Sequence, residues 1–331
     1  MAALHFVSDE VAQEVFDWRS AVARLQDVYA HEFGAGASPP RTVAVDGPSW
    51  LRTLPGNPPG LRHFGAKIMG ATMTAPTPTA DYVIVLFEKA SGRIAGFLDA
   101  KTITGFRTAA TTAAAIDKLI PAGPVRLGVI GSGLEASMHT RAFASIRDLT
   151  EITVFSPSPG SRERFAATMA EELGVGARAV ASPEIAVGGV DLVLTAARSR
   201  DETPILFSDW IAPHSAVVSI GSTIPSQREI DISVIERADL IVCDMLEETL
   251  NETGDMIAAK KAGIAFEEKC ISLNSLLNGS AAKLVSDARR PMYKSVGAGI
   301  QDVVVGALIF EKAVAAGLAT PLAAEFSGKA L

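Results

Sequence analysis

A glycine-rich turn near the middle of the chain has the residue types that bind a phosphate. The apolar run Val125–Ile130 predicts a strand, and it leads directly into Gly131-Ser132-Gly133-Leu134-Glu135-Ala136. Glycine at 131 permits a tight turn, glycine at 133 lets a phosphate approach the backbone, and alanine at 136 lets the next helix pack closely on a sheet. The N-terminus of that helix would present unpaired N–H groups to an anion. The motif therefore predicts that residues 131–136 bind the pyrophosphate of a dinucleotide.

The end of the next strand-like run, at Phe155, indicates which dinucleotide would bind. An acidic residue there bonds the ribose 2′-hydroxyl of NAD, whereas a 2′-phosphate requires hydroxyls and arginines. The chain has Ser156, Ser158 and Arg162 at this point and no acid at the turn, although the same residues also suit an ordinary loop before a helix. We expect NAD(P)H as the cofactor, with NADPH preferred and NADH left open. The residues expected to contact it are Gly131, Ser132, Gly133, Leu134, Glu135, Ala136, Ser156, Ser158, Arg162, Thr195 and Ala196.

Four cationic residues in the first third of the chain lie in or beside apolar strands or small-residue helices. They are Arg41, Arg52, Lys67 and Arg107. An arginine can bind a carboxylate through two parallel N–H bonds, and a lysine in a confined site can shift its pKa and transfer a proton. Taken singly, each is better explained as surface charge on a half-exposed strand. Lys67 is the hardest to explain in that way, because the residues on both sides of it are apolar or small.

The elements that must position these residues fall into two groups. Strand-like runs at 41–45 and 64–69, a hairpin at 82–87 and 94–98, and an alanine-rich helix at 104–119 predict a mostly antiparallel sheet with helices. From residue 125 onward strands and helices alternate, which favours a doubly wound parallel sheet. We expect an α/β protein with a Rossmann-type dinucleotide-binding domain at 123–302. A mixed α+β domain is expected at 1–122 with 303–331, because the apolar helix at 303–316 lies beyond the parallel sheet.

Composition excludes several classes of function. A chain of 331 residues that is 48% hydrophobic and 20% charged is long enough for two globular domains. The net charge of −7 and the dispersed lysines and arginines predict no nucleic-acid partner. No apolar run reaches the roughly 18 residues of a membrane span, so we expect no membrane partner and a cytoplasmic location. Cys243 and Cys270 lack a CxxC or histidine companion, so neither a disulfide framework nor a metal site is predicted.

Six short motifs lie in a fixed order along nearly the whole chain. They are residues 40–42 (Pro-Arg-Thr), Lys67 in a strand-like run, residues 103–110, residues 127–133, residues 251–255 (Asn-Glu-Thr-Gly-Asp) and residues 293–297 (Tyr-Lys-Ser-Val-Gly). In this order they resemble the ornithine cyclodeaminase and mu-crystallin family. The resemblance implies that the second domain binds a dinucleotide and that the mixed α+β domain binds the substrate and forms a homodimer through its sheet.

The resemblance also implies roles for individual residues. Arg41 and Arg107 match the positions that hold the substrate carboxylate, and Lys67 matches the catalytic lysine beside the nicotinamide. The chain departs from the family at residues 221–225, where cyclodeaminases have Gly-x-Asp-x-Pro and this sequence has Thr223 in place of the aspartate. Because threonine cannot accept a proton as a carboxylate does, the departure disfavours cyclodeamination.

The expected reaction is therefore the NAD(P)H-dependent reduction of a 2-imino acid to an L-amino acid. Lys67 would supply the proton, and Thr223 would hydrogen-bond the nitrogen or a water molecule. Arg52 falls where alanine dehydrogenase-like members have an arginine, and it would read a second carboxylate, as in iminosuccinate, or share the first with Arg41. Three other functions stay open: alanine dehydrogenase-like reductive amination of a 2-oxo acid, ornithine cyclodeamination, and a non-catalytic mu-crystallin-like binding role.

Overall fold

The computed structural model describes residues 4–74, 77–197, 202–324 and 326–329. The chain divides into two compact units, which we call the first unit (Met1–Thr111 with Ala298–Leu331) and the second unit (Thr112–Gly297). The sequence had suggested boundaries at 122/123 and 302/303, next to a Pro-Gly segment and before an apolar helix. In the structure the first boundary lies between Thr111 and Thr112. It falls inside the helix Ile103–Leu119, where no change of composition marks it.

The described residues form strands and helices along the whole chain. None of these helices is both long enough and apolar enough to cross a membrane. Short 3-10 helices lie at Ala35–Ala37, Ser208–Trp210 and Glu267–Lys269. In chain order the strands and α-helices are β1 (His5–Val7), α1 (Asp9–Val15), α2 (Trp18–Ala30), β2 (Thr42–Asp46), β3 (Ser49–Gly56), β4 (His63–Thr72), β5 (Ala80–Glu88), β6 (Ile94–Asp99), α3 (Ile103–Leu119), β7 (Val125–Ile130), α4 (Leu134–Ile146), β8 (Leu149–Phe155), α5 (Pro159–Leu173), β9 (Gly176–Ala179), α6 (Pro183–Val187), β10 (Leu192–Thr195), β11 (Ala216–Ser219), α7 (Ile232–Arg237), β12 (Leu240–Cys243), α8 (Leu246–Glu252), α9 (Gly254–Lys261), β13 (Cys270–Ser272), α10 (Leu273–Leu277), α11 (Ala282–Asp287), β14 (Pro291–Lys294), α12 (Gly299–Ala315) and β15 (Thr320–Pro321).

The first unit is built on a seven-stranded sheet with the order β15-β1-β6-β5-β4-β3-β2. Its neighbouring strands are antiparallel except for the parallel pair β1 and β6, and the hairpin predicted from the sequence is β5 with β6. Side chains alternate between the two faces of a strand, so paired residues on neighbouring strands share a face. One such row runs from Leu54 through Lys67 and Ile84 to Leu98, and all four side chains are buried.

Helix α12 lies on the face of the sheet that carries this row. Close contact at its N-terminus fixes its position, because a Cβ atom on Gly56 would lie 2.7 Å from the Ile300 Cα atom. A Cβ atom on Gly299 would in turn overlap the carbonyl oxygens of Leu54 and Pro55. Further along the helix, Gly306 faces the Ile84 side chain, at 3.2 Å from an added Cβ atom. The first turn of α12 is therefore held directly above the end of β3.

The second unit is built on an eight-stranded sheet with the order β13-β12-β14-β11-β10-β7-β8-β9. Every described pair in it is parallel, which confirms the predicted α/β class. Strands β10, β11 and β12 are short runs of four buried residues each, as expected for strands covered on both faces. The chain order reverses at β7, which pairs with β8 on one side and β10 on the other. Ligands of open parallel sheets bind at the carboxyl edge of such a switch point.

Candidate active site

Lys67 places a cationic side chain in a row that is otherwise apolar. Its side chain is 1% exposed, and its neighbours in the row are Leu54 and Ile84. The Lys67 Nζ atom donates hydrogen bonds to Asp302 Oδ1 at 2.8 Å and to Thr104 Oγ1 at 3.4 Å. A buried ammonium group needs a compensating charge, and here Asp302, in the first turn of α12, supplies it.

Arg107 on α3 binds the same aspartate. Its Nε atom donates to Asp302 Oδ1 at 3.0 Å, and its Nη1 atom donates to Gln301 Oε1 at 2.9 Å. Gln301 Oε1 also accepts the backbone N–H of Ala298 at 3.3 Å, so the residue caps the start of α12 as well. A single oxygen atom of Asp302 is therefore shared by two buried cations. The other oxygen, Oδ2, is buried and has no hydrogen-bond partner among the residues described.

The strand register brings one predicted arginine, Arg52, to the same face as Lys67, and a second, Arg41, lies near enough for its charge to affect Lys67. Arg41 directly precedes β2, whose first residue Thr42 pairs with Thr53, and its positive charge acts on Lys67. Arg52 pairs with Met69, two residues along β4 from Lys67, and its guanidinium lies 5.5 Å from the ring centre of Trp50. The first unit therefore contains all four cations predicted from the sequence: Arg52 and Lys67 on one sheet face, Arg41 just before β2, and Arg107 on α3.

The surroundings of Lys67 favour loss of its proton. The pKa of Lys67 is lowered from 10.5 to about 8, mainly by burial and also by the positive charges of Arg107 and Arg41. The charge of Asp302 and its hydrogen bond oppose this shift because they stabilise the ammonium form. The amine therefore titrates close to neutral pH, where it can donate a proton and regain it.

The glycine turn of the second unit has the geometry of a phosphate-binding loop. Gly131 has a φ of +113°, a conformation that favours glycine, and an added Cβ atom would lie 2.5 Å from the Ala196 carbonyl oxygen. Gly133 is the N-cap of α4, and an added Cβ atom there would meet nothing within 4 Å. The backbone before the helix is thus open to an approaching anion, so these residues fit a dinucleotide pyrophosphate.

The residues predicted to choose the nucleotide lie together at the end of β8. Ser132 Oγ donates to Ser156 Oγ at 2.8 Å, and Arg162 Nη1 donates to the Ser156 carbonyl oxygen at 2.8 Å. The Arg162 guanidinium also lies 5.6 Å from the ring centre of Phe155. Ser158 is exposed at the N-cap of α5. The structure therefore brings hydroxyls and a guanidinium to this strand end.

The other predicted residues of the second unit lie at or after the ends of β10 and β11 and in the first turn of α4. Thr195 is buried and its hydroxyl donates to the Val218 carbonyl oxygen at 3.1 Å, within the sheet. The Ala196 N–H donates to the Ile130 carbonyl oxygen at 2.8 Å. Thr223 follows β11, and its N–H donates to Gln227 Oε1 at 3.3 Å. Leu134 and Glu135 form the first turn of α4, where Leu134 is exposed and Glu135 is half-buried.

Sequence reasoning missed Thr104, Gln301 and Asp302 as site residues. The apolar pattern predicted a helix from residue 303, whereas α12 begins at Gly299 and includes the two polar residues. One signal was present in the sequence. Gln301 and Asp302 stand directly before a long apolar run, and in the structure both are fully buried.

Comparison with known proteins identifies relatives of this chain. The family model described as "Ornithine cyclodeaminase/mu-crystallin family" matches residues 9–317, which confirms the resemblance found in the motifs. The ketimine reductase mu-crystallin of Mus musculus is 28% identical over 234 residues, which cover 71% of this chain and 70% of that protein.

Solved structures share the fold. The structure of a probable ornithine cyclodeaminase from Bordetella pertussis Tohama I is 30% identical, has a TM-score of 0.82, and covers 96% of this chain and 100% of that one. The iminosuccinate reductase of Paracoccus denitrificans in complex with NAD+ has a TM-score of 0.84 over 96% of this chain and 98% of that one. At 21% identity the latter match carries information on the fold alone.

Replacing Asp302 with asparagine is expected to lower the pKa of Lys67 below its present value of about 8. The substitution removes the negative charge that stabilises the ammonium, while burial, Arg107 and Arg41 continue to oppose it. NMR titration of the Lys67 side chain in lysine-labelled protein measures the shift.

Asp99→Asn is the matched control for this titration, because Asp99 accepts a backbone N–H from Lys101 in the same unit at 3.0 Å. It should leave the pKa of Lys67 unchanged. A Lys67 pKa that stays the same or rises in Asp302→Asn would contradict the assignment of Asp302 as its counter-ion.

Proposed function

This chain belongs to the ornithine cyclodeaminase/mu-crystallin family, and we propose that it reduces the C=N bond of a 2-imino acid to an L-amino acid with NAD(P)H. The observation that carries the proposal is the shared oxygen of Asp302, which holds Lys67 and Arg107 together in a buried site. The first unit binds the substrate and the second unit binds the cofactor. The catalysed change breaks the π bond of C=N, adds a hydride to carbon and adds a proton to nitrogen.

Arg41 and Arg107 hold the substrate carboxylate. A guanidinium has five N–H donors, and the bonds from Arg107 to Asp302 and Gln301 use two of them. Its Nη2 group retains donors for a carboxylate, and a pair of parallel N–H bonds also fixes the orientation of the bound group. The positive charge of Arg41 is near enough to affect Lys67, so the carboxylate and the reacting nitrogen share one charged site.

Lys67 supplies the proton for the imine nitrogen. Its pKa of about 8 lies close to neutral pH, so the ammonium form can donate a proton to the imine and the amine can then take up a proton again. Asp302 holds the ammonium group through Oδ1, while Oδ2 offers an acceptor to the N–H of the product amine. As the proton leaves Lys67, the negative charge of Asp302 continues to stabilise the positive charge that passes to the substrate nitrogen.

A bound nicotinamide cofactor supplies the hydride. Gly131 and Gly133, with the N-terminus of α4, fit its pyrophosphate. Ser156, Ser158 and Arg162 would bind a 2′-phosphate, so the chain prefers NADPH. The bound NAD+ named for the Paracoccus protein does not bear on this preference, because the match carries the fold alone.

Cyclodeamination is the less favoured reaction. It requires a general base while an amine is oxidised and ammonia leaves, and Thr223 has no carboxylate to serve as one. A purely structural role is disfavoured as well. A buried arrangement of two cations around one carboxylate oxygen costs free energy to desolvate, so it is better explained by binding and catalysis.

Arg52 favours a dicarboxylic substrate such as iminosuccinate. It lies on the sheet face of Lys67, whose pKa Arg41 also affects, so a third cation extends the charged site beyond what one carboxylate requires. Iminosuccinate forms from oxaloacetate and ammonia, whereas pyruvate and ammonia give the monocarboxylic imine of an alanine dehydrogenase. The same residues reduce either imine, so the number of carboxylates distinguishes these two reactions.

The protein forms a homodimer through the sheet of the first unit. Strand β2 is at the edge of that sheet and is exposed along its whole length. Val43, Val45 and Leu51 are exposed apolar side chains on β2 and β3. An edge strand with exposed apolar residues is suited to pairing with a second copy.

Purified protein is expected to oxidise NADPH with at least one of three inputs: oxaloacetate with ammonia, pyruvate with ammonia, or a preformed cyclic ketimine. Lys67→Met should lower kcat by about a thousandfold with the preferred imine, because the proton donor is lost. Binding of NADPH, followed by its fluorescence, should stay as in the wild type.

Lys101→Met, which alters an exposed lysine of the same unit, is the control and should keep wild-type kcat. Nucleotide binding without turnover of any imine would instead support the binding-protein alternative. Release of ammonia from ornithine, with no imine reduced, would overturn the reductase and favour the cyclodeaminase.

Arg52→Ala should lower kcat/KM for oxaloacetate with ammonia by about tenfold to a hundredfold, because a charged hydrogen bond is lost. Turnover of a monocarboxylic cyclic ketimine should change little. Arg62→Ala removes an exposed arginine that pairs with Glu88 and serves as the control. Equal losses with both substrates would mean that Arg52 shares the single carboxylate with Arg41.

Wild-type protein is expected to have a higher kcat/KM with NADPH than with NADH, by about tenfold or more. Ser156→Asp should reverse this preference, because a carboxylate repels the 2′-phosphate and accepts a bond from the 2′-hydroxyl. Ser286→Asp, an exposed serine on α11, is the control for added charge. A wild-type preference for NADH would contradict the proposed 2′-phosphate contacts.

A further inference from the structure

The second unit contains a buried cluster of two carboxyl groups, one amine and one hydroxyl that the proposed reaction does not use. Glu229, Asp255, Lys294 and Ser219 are all fully buried. Their hydrogen bonds form a chain, because Lys294 Nζ donates to Asp255 Oδ2 at 3.0 Å and to Ser219 Oγ at 2.9 Å. Ser219 Oγ in turn donates to Glu229 Oε2 at 2.7 Å. A buried charge costs free energy unless it is paired and hydrogen-bonded. In this cluster each charged group has a hydrogen-bond partner.

Glu229 joins the ends of two neighbouring strands. Its Oε1 atom accepts the N–H of Ala197, two residues after β10, at 3.0 Å. Its Oε2 atom accepts the N–H of Gly221, two residues after β11, at 2.9 Å. One carboxyl group therefore fixes the backbone that leaves each of these parallel strands at the carboxyl edge of the sheet.

Asp255 and Lys294 hold Glu229 itself in place. Asp255 Oδ1 accepts the backbone N–H groups of Glu229 at 2.8 Å and Ile230 at 3.2 Å. Lys294, at the end of β14, bonds Asp255 and reaches Glu229 through the Ser219 hydroxyl. The carboxyl group of Glu229 is thus fixed both at its backbone and at its side-chain oxygens.

Close packing connects this cluster with the phosphate loop. A Cβ atom on Gly221 would overlap both Glu229 Oε1 and the Ala197 carbonyl oxygen. A Cβ atom on Gly131 would lie 2.5 Å from the Ala196 carbonyl oxygen. The backbone of 196–197 therefore lies between the phosphate loop and Gly221 with no room for a side chain on either side. A displacement of either neighbour would move it.

The sheet order indicates which half of the nucleotide these loops serve. The pyrophosphate motif follows β7, and Ser156, the expected ribose contact, follows β8. Strands β10 and β11 lie on the other side of β7. A dinucleotide bound across the carboxyl edge with its adenosine half at β8 must extend its nicotinamide half over β10 and β11.

We propose that Glu229 is a positioning residue that fixes the backbone of residues 196–197 and of Gly221 in the conformation that receives the nicotinamide half of the cofactor. The inference rests on the proposed function, since it requires that the second unit bind NAD(P)H. Glu229 itself does not touch the reacting atoms. It acts through the hydrogen bonds that it accepts from the backbone N–H groups of Ala197 and Gly221 and from the Ser219 hydroxyl.

Glu229→Gln tests the proposal. Both carboxyl oxygens accept a backbone N–H, and a glutamine has only one oxygen, so its NH2 group must face one of the two donors. We expect the dissociation constant of NADPH to rise about tenfold or more, from the loss of one charged hydrogen bond. Binding of 2′,5′-ADP, which has only the adenosine half, should change less than about twofold. Calorimetry with both nucleotides measures the difference; NADH and ADP replace them if the wild type prefers NADH.

Asp239→Asn is the matched control. Asp239 also accepts two backbone N–H groups, from Arg289 at 3.0 Å and Arg290 at 2.9 Å, but it precedes β12 at the opposite edge of the sheet. Its substitution should leave the affinity for both nucleotides unchanged. Equal weakening of NADPH and 2′,5′-ADP in Glu229→Gln would mean general structural damage and would overturn the positioning role.

Ser219→Ala provides a second variant if Glu229→Gln does not fold. It removes the hydroxyl between Lys294 and Glu229 and leaves the bonds to Ala197 and Gly221 in place. We expect a smaller loss of NADPH affinity than in Glu229→Gln, with the affinity for 2′,5′-ADP unchanged. Unchanged NADPH affinity in the folded variants would overturn the inference alone. Failure of the wild type to bind either nucleotide would instead overturn the proposed function.

Discussion

Much of the first unit depends on the ion pairs that Asp302 makes with Lys67 and Arg107. The lysine occupies a position in the strand row where its neighbours Leu54 and Ile84 are apolar, so its charge has no access to water. Leaving such a cation without its partner costs about 3–5 kcal/mol. The close contact of α12 with the end of β3, at Gly56 and Gly299, keeps the carboxylate within bonding distance.

The two units use the same physical device for different purposes. In the first unit one carboxylate oxygen joins two cations, and the remaining oxygen is buried and accepts no hydrogen bond from the described residues. In the second unit the Glu229 carboxyl group joins backbone N–H groups from two strand ends, and both of its oxygens are used. A carboxylate with an unused acceptor can take part in a reaction, whereas one with all its oxygens bonded holds a shape.

The sequence was informative where the signal was local. The turn from Gly131 to Ala136 and the hairpin of β5 and β6 depend on residues that are close in the chain, so their types and spacing were sufficient to predict them. Lys67 was a good candidate because its neighbours in sequence are apolar or small, whereas the apolar side chains that lie beside it, Leu54 and Ile84, come from neighbouring strands. Asp302 could not be paired with it, since the two residues are separated by 235 positions and only the packing of α12 on the sheet brings them together. The grouping of Arg52 with Lys67 likewise required the strand register.

The first unit is discontinuous in the chain, and this has a consequence for biosynthesis. The second unit is a single uninterrupted segment, Thr112–Gly297, and the ribosome completes it before residue 302 is made. Domains generally fold as units in the order in which they are synthesised. The apolar face of the first sheet, and the lysine buried in it, can therefore be covered by α12 only after the whole of the second unit has been synthesised. During that interval the sheet of the first unit lacks the helix that covers its apolar face in the complete protein.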